Sequence, residues 1–67
     1  MSNRVAEVRL SKKMSQEQLA EKAGINRTYL STIETGRQKT ISNVVIEKLS
    51  AALETPICEI FFLNHVV

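Results

Sequence analysis

Two helix-start signals with a single glycine between them constrain this chain more than any other feature. They lie in MSQEQLAEKAGINRTYL, residues 14–30. Ser15 belongs to the residue types that cap helix N-termini. Gln18, three positions on, can reach back to the Ser15 amide, the reciprocal arrangement of a capping box. Met14 and Leu19 flank that start at the spacing of a hydrophobic staple. The helix so begun is predicted to run to Ala23 and stop at Gly24, where a left-handed backbone costs glycine little. Asn26 then caps the next helix, Ile25 and Leu30 staple it, and Gly36 ends it. Two short helices must therefore meet across a turn of about three residues.

The rest of the chain follows the same helical spacing, with only two glycines and one proline to interrupt it. A first helix is predicted from roughly Asn3 to Lys12, with Val5 and Val8 on one face. A fourth starts at Ser42, with Ile41 and Ile46 as its staple and Val45, Leu49, Ala52 and Leu53 continuing the apolar stripe. Thr55 and Pro56 open a short fifth helix whose buried face is Ile57, Ile60 and Phe61. The expected fold class is all-α, five helices without strands, in one domain over residues 1–67. A core built from 67 residues is marginal, which favours oligomerisation.

Composition narrows the function. Residues 1–40 carry eight basic side chains against four glutamates. Residues 41–67 carry Lys48 against Glu47, Glu54 and Glu59, so the two parts hold net charges of +4 and −2. A basic part joined to an acidic, apolar part suits a polyanion on one side and a protein partner on the other. The chain has no aspartate, one histidine (His65), no phosphate-binding glycine loop and no cluster at metal-ligand spacing. No catalytic residue, metal, cofactor or small-molecule ligand is therefore expected. The single cysteine, Cys58, excludes an intrachain disulfide and is expected to act as a small buried hydrophobe. No leader and no apolar run near membrane-spanning length is recognised, so a cytoplasmic protein is expected.

Counted from Gln16, a small residue falls at the fifth position (Ala20), glycine at the ninth (Gly24), and branched apolar residues at the fifteenth and eighteenth (Leu30, Ile33). A small side chain permits close helix crossing, the glycine permits the tight turn, and the last two anchor the third helix to the scaffold. MSQEQLAEKAGINRTYLSTIETGRQ thereby resembles the DNA-binding unit of the lambda-repressor-like, Cro and phage-repressor type (XRE family) of helix-turn-helix regulators. ISNVVIEKLSAALETPICEIFF resembles the family's fourth and fifth helices. Within the family the chain is most similar to the small controller proteins of restriction–modification systems, where RTYLS followed by IE recurs.

The resemblance implies that the third helix enters the DNA major groove. Pinning Leu30 and Ile33 inward turns Arg27, Thr28, Ser31 and Thr32 outward as the base-reading set. Gln16, Tyr29, Arg37, Gln38, Lys39, Ser42 and Asn43 are candidates for phosphate contacts, although the Tyr29 ring is equally suited to packing. Arg9 and Glu34 occupy the positions of a structural ion pair between the first and third helices. Glu17 and Glu21 match positions at which some members touch RNA polymerase, though a solvated helix face is the simpler account. Lys13 departs from the family, standing where a helix-ending glycine is common. So does Asn43, which replaces a leucine near the start of helix four.

One recognition helix reads few base pairs, so a homodimer is expected, formed through about residues 56–67 with Ile57, Ile60, Phe62, Leu63 and Val66 at the interface. Ile60 and Phe61 are also expected to enter the monomer core. The expected function is a sequence-specific, autoregulating transcription regulator on a palindromic operator. The competing expectation is a protein-interaction module, of the antitoxin or adaptor type, that keeps the fold without reading DNA.

Overall fold

The computed structural model describes residues 3–38 and 40–61. Its helices are α1 (Val5–Ser11), α2 (Gln16–Ala23), α3 (Arg27–Glu34), α4 (Asn43–Leu53) and α5 (Ile57–Ile60). Among the described residues there is no strand, only an isolated antiparallel bridge between Asn3 and Phe61.

The local signals explain the helix starts. Ser15 Oγ accepts from the Gln18 amide at 3.0 Å, and Gln18 Oε1 accepts from the Ser15 amide at 2.8 Å. Asn26 Oδ1 accepts from the amides of Thr28 and Tyr29, and Ser42 Oγ from that of Val45. Each bond satisfies an amide that the first helical turn leaves without a partner. Gly24 closes α2 at φ 71°. A methyl group built there would meet nothing within 4 Å, so the demand for glycine is conformational and not steric.

α2 packs on both α3 and α4. The core is Val5 of α1, Leu19, Ala20 and Ala23 of α2, Leu30 and Ile33 of α3, and Ile46, Leu49, Ala52 and Leu53 of α4, closed by Ile41, Ile60 and Phe61. Three of those are alanines, which lets the helix backbones approach at the crossings.

Several expectations are corrected. α1 begins at Val5 and not Asn3, because the Asn3 side chain stays outside the helix and accepts from the Val5 amide at 3.0 Å. Pro56 is the residue before α5 and not its first helical residue, and Phe61 leaves the helix in an extended conformation. Cys58 is exposed, not buried: α5 is a single turn that directs Ile60 inward and leaves Cys58 and Glu59 outside. Ile60 is 0% exposed, so within one protomer it is core and offers no surface to a partner. Ile57 remains half-buried, while Phe62, Leu63 and Val66 lie outside the described residues. Asn43 is exposed and Val44 is 60% exposed; Ile46 and Leu49 seat α4 without them.

Among the described residues, two other than glycine adopt the left-handed conformation, Lys13 at φ 58° and Glu54 at φ 52°. Glu54 also places a carboxylate at the negative end of α4. Glu54→Gly is expected to stabilise the domain by about 1 kcal/mol, since the side chain is exposed and glycine removes the left-handed penalty. The melting temperature should rise by about 4–8 °C. A fall on thermal denaturation followed by circular dichroism would contradict this account of the α4 terminus.

Candidate nucleic-acid interface

α3 divides by face. Leu30 and Ile33 are 0% exposed, and their three-residue spacing points them into the core together. Arg27 and Thr28 are thereby left exposed on the first turn, with Ser31 and Thr32 half-buried beside them. Tyr29 is half-buried and packs against the core, so its ring is committed to packing.

The Thr32 hydroxyl has one proton and two neighbouring acceptors. The Tyr29 carbonyl lies at 2.6 Å and Gln38 Oε1 at 3.4 Å. The shorter bond takes the proton, because 3.4 Å is beyond the ordinary range for a hydroxyl donor. Thr32 thus presents oxygen lone pairs and a methyl group outward, not an O–H. Its backbone carbonyl accepts from the amides of Arg37 and Gln38 at 3.0 and 3.2 Å, which folds the loop back onto the end of α3. The Gln38 side chain donates to the Thr40 carbonyl at 3.2 Å and is held within that loop, whereas Arg37 is exposed. Lys39 lies outside the described residues. Ser42 is spent as a helix cap, and Asn43 follows it on the surface.

Electrostatics favour an anion along this edge. The first turn of α3 contains no acidic residue, and its amide ends add partial positive charge to that of Arg27. Between Arg27 and Arg37 the only acidic residue is Glu34, and its side chain is 5% exposed. Its carboxylate faces the scaffold and collects three donors. Arg9 Nε reaches Oε2 at 2.8 Å, Arg9 Nη2 reaches Oε1 at 3.2 Å, and Gln16 Nε2 reaches Oε1 at 2.9 Å. Arg9, 11% exposed at its side chain, also donates through Nη1 to the Met14 carbonyl at 2.7 Å. This cluster joins α1, the start of α2 and the end of α3.

Gln16 is therefore first a brace. One N–H of its amide is used on Glu34, and the other is left at the start of α2, half-buried, where an anion would be favoured. Glu17 and Glu21 are exposed on α2. Asn3 was not among the sequence candidates, yet its Nδ2 donates to the Ile33 carbonyl at 2.9 Å across 30 positions of chain. No local pattern announces a contact of that span.

The Helix-turn-helix family matches residues 5–60. Control protein C.BamHI from Bacillus amyloliquefaciens is 50% identical over 52 residues, covering 75% of this chain and 62% of that protein. The HTH-type transcriptional regulator SinR from Bacillus subtilis (strain 168) is 39% identical over 57 residues, 85% of this chain and 51% of SinR. The chain thus spans about half of SinR and under two thirds of C.BamHI. The crystal structure of the restriction–modification controller protein C.AhdI from Aeromonas hydrophila superposes with a TM-score of 0.81 at 40% identity, over 87% of this chain and 86% of that one. SinR solved in complex with DNA gives 0.78 at 40% identity, over 82% of this chain and 87% of that one.

Proposed function

Because this chain belongs to the Helix-turn-helix family of transcription regulators, we propose that it reads a specific DNA sequence by placing the exposed edge of α3 in the major groove. The observation that carries this is the composition of that edge. Arg27, Thr28, Ser31 and Thr32 face away from the core while the one acidic residue of α3, Glu34, is folded inward on three donors. Arg27 has the donors for a bidentate contact to guanine, and the two threonines offer a methyl or an oxygen to base edges. Gln16, Arg37, Lys39 and Asn43 serve as phosphate contacts that fix orientation, with smaller parts for Tyr29, Gln38 and Ser42, whose side chains are already engaged. SinR, whose crystal structure has been solved in complex with DNA, supports DNA as the ligand.

The protein acts as a homodimer on a palindromic operator, pairing through Ile57 and the residues that follow α5. Its likeness to control protein C.BamHI and to the restriction–modification controller protein C.AhdI supports a regulatory role. With no room in these 67 residues for a ligand-sensing domain, the regulation they support runs through the protein's own concentration, at its own promoter. Glu17 and Glu21, exposed on α2, are the surface offered to RNA polymerase.

A gel shift with the DNA fragment upstream of its own coding sequence tests the proposal. A discrete complex that survives excess competitor DNA and weakens steeply with rising salt is expected. Light scattering on the same sample should return twice the mass of the chain. No retardation at low salt would leave the interaction-module alternative as the better account.

A further inference from the structure

Asn3 stands at a junction of three elements. Its Oδ1 accepts from the amide of Val5, the first residue of α1, at 3.0 Å. Its Nδ2 donates to the Ile33 carbonyl at 2.9 Å, in the last turn of α3. Only one orientation of the amide makes both bonds, so the side chain is locked between them. The backbone at the same point is stitched to the end of α5, where Asn3 bridges Phe61 and the Arg4 amide donates to the Ile60 carbonyl at 2.7 Å.

The Ile33 carbonyl is one of the groups that a helix C-terminus leaves without an intrahelical partner. It accepts the Gly36 amide at 3.1 Å, and Asn3 supplies its second donor from outside the helix. The adjacent residue, Glu34, is held by Arg9 of α1. Two neighbouring positions at the end of α3 are therefore fixed from the α1 segment, and one of the two fixings is continuous with α5.

We infer that Asn3 is a positioning residue that ties the orientation of α3 to α5, so that a displacement of α5 is transmitted to the base-reading edge. The inference rests on the DNA-reading function proposed above. Asn3 touches no base: it acts through the placement of Arg27.

Asn3→Asp is the informative substitution, because it keeps an acceptor for the Val5 amide and removes the donor to Ile33. The DNA probe is the duplex that the wild-type protein enriches from a random-sequence library, compared with a mixed-sequence duplex. Affinity for the enriched duplex is expected to fall about 5- to 30-fold, and affinity for mixed sequence less than about 2-fold, the scale of one lost hydrogen bond. In an Arg27→Ala background the same change should have almost no effect on either duplex. Glu47→Gly, at an exposed position inside α4, lowers helix stability without touching either Asn3 bond; it controls for lost stability and should leave the preference intact. An Asn3→Asp effect that persists in the Arg27→Ala background, or that is equal on both duplexes, overturns the inference.

Amide hydrogen exchange decides the coupling without DNA. Asn3→Asp should accelerate exchange at Gly36, which donates to Ile33, and at Arg4, which donates to Ile60. Acceleration at Gly36 alone would remove α5 from the scheme. If wild-type protein enriches no sequence, the DNA-reading proposal fails by itself and the exchange data still decide whether Asn3 links α3 to α5.

Discussion

Glu34→Ala is expected to destabilise the domain by about 3 kcal/mol, the low end of the range for breaking a buried ion pair. The change leaves the Arg9 guanidinium with 11% of its side chain exposed, and its remaining bond is to the Met14 carbonyl. It also strands the Gln16 amide. The retained carbonyl bond and the slight exposure of Arg9 hold the loss near that lower bound. For so small a core, a loss of this size is most of the stability available. Urea or thermal denaturation should show a partly unfolded population near 37 °C. Replacing both partners, Arg9→Met with Glu34→Leu, should recover most of the stability, because no charge is then buried alone. DNA binding should not recover with it, since Gln16 has lost its anchor. A single variant that melts like the wild type would show that the cluster contributes little to stability.

Arg27→Ala should cost about 1–3 kcal/mol at the preferred DNA sequence, or about 5- to 150-fold in affinity. The fold should be unaffected, because Arg27 is exposed and holds up no part of the core. The diagnostic is where the loss falls. If Arg27 reads a guanine, competition across single-base-pair variants should show discrimination collapsing at one position of each half-site and persisting elsewhere. Arg27→Lys should preserve most affinity for mixed-sequence DNA and still lose that discrimination, because an ammonium lacks the planar fork. A uniform loss across all variants, with a salt dependence shallower by about one charge, would make Arg27 a phosphate contact instead.

Much of the scaffold is legible in single short windows of sequence. The capping box at Ser15, the Asn26 and Ser42 caps and the left-handed Gly24 are each local. They need only a side chain and an amide two or three residues away. The inward face of α3 is local as well, because Leu30 and Ile33 at helical spacing specify one stripe. Errors appear where an element is too short to have a face of its own. α5 is one turn, so periodicity could not decide that Cys58 lies outside. Thr32 illustrates a different limit: its outward position is legible, but the commitment of its hydroxyl to the Tyr29 carbonyl is not.

The sequence by itself determined the five helices, the tight turn between α2 and α3, and the identity of the residues left on the outer edge of α3. These follow from capping and from the 3.6-residue repeat, which act within a turn or two of helix. The tertiary structure alone decided how that edge is held. Gln16, Arg9 and Asn3 reach the end of α3 across 18, 25 and 30 positions of chain. The Arg9–Glu34 pair was implied by a family resemblance and by no local pattern, and the Asn3 contact by neither. The same packing buries Ile60 against the N-terminal segment, removing it from any partner's reach. Such contacts depend on the angles at which helices cross. Those angles are set by the whole core at once, so no window of sequence contains them.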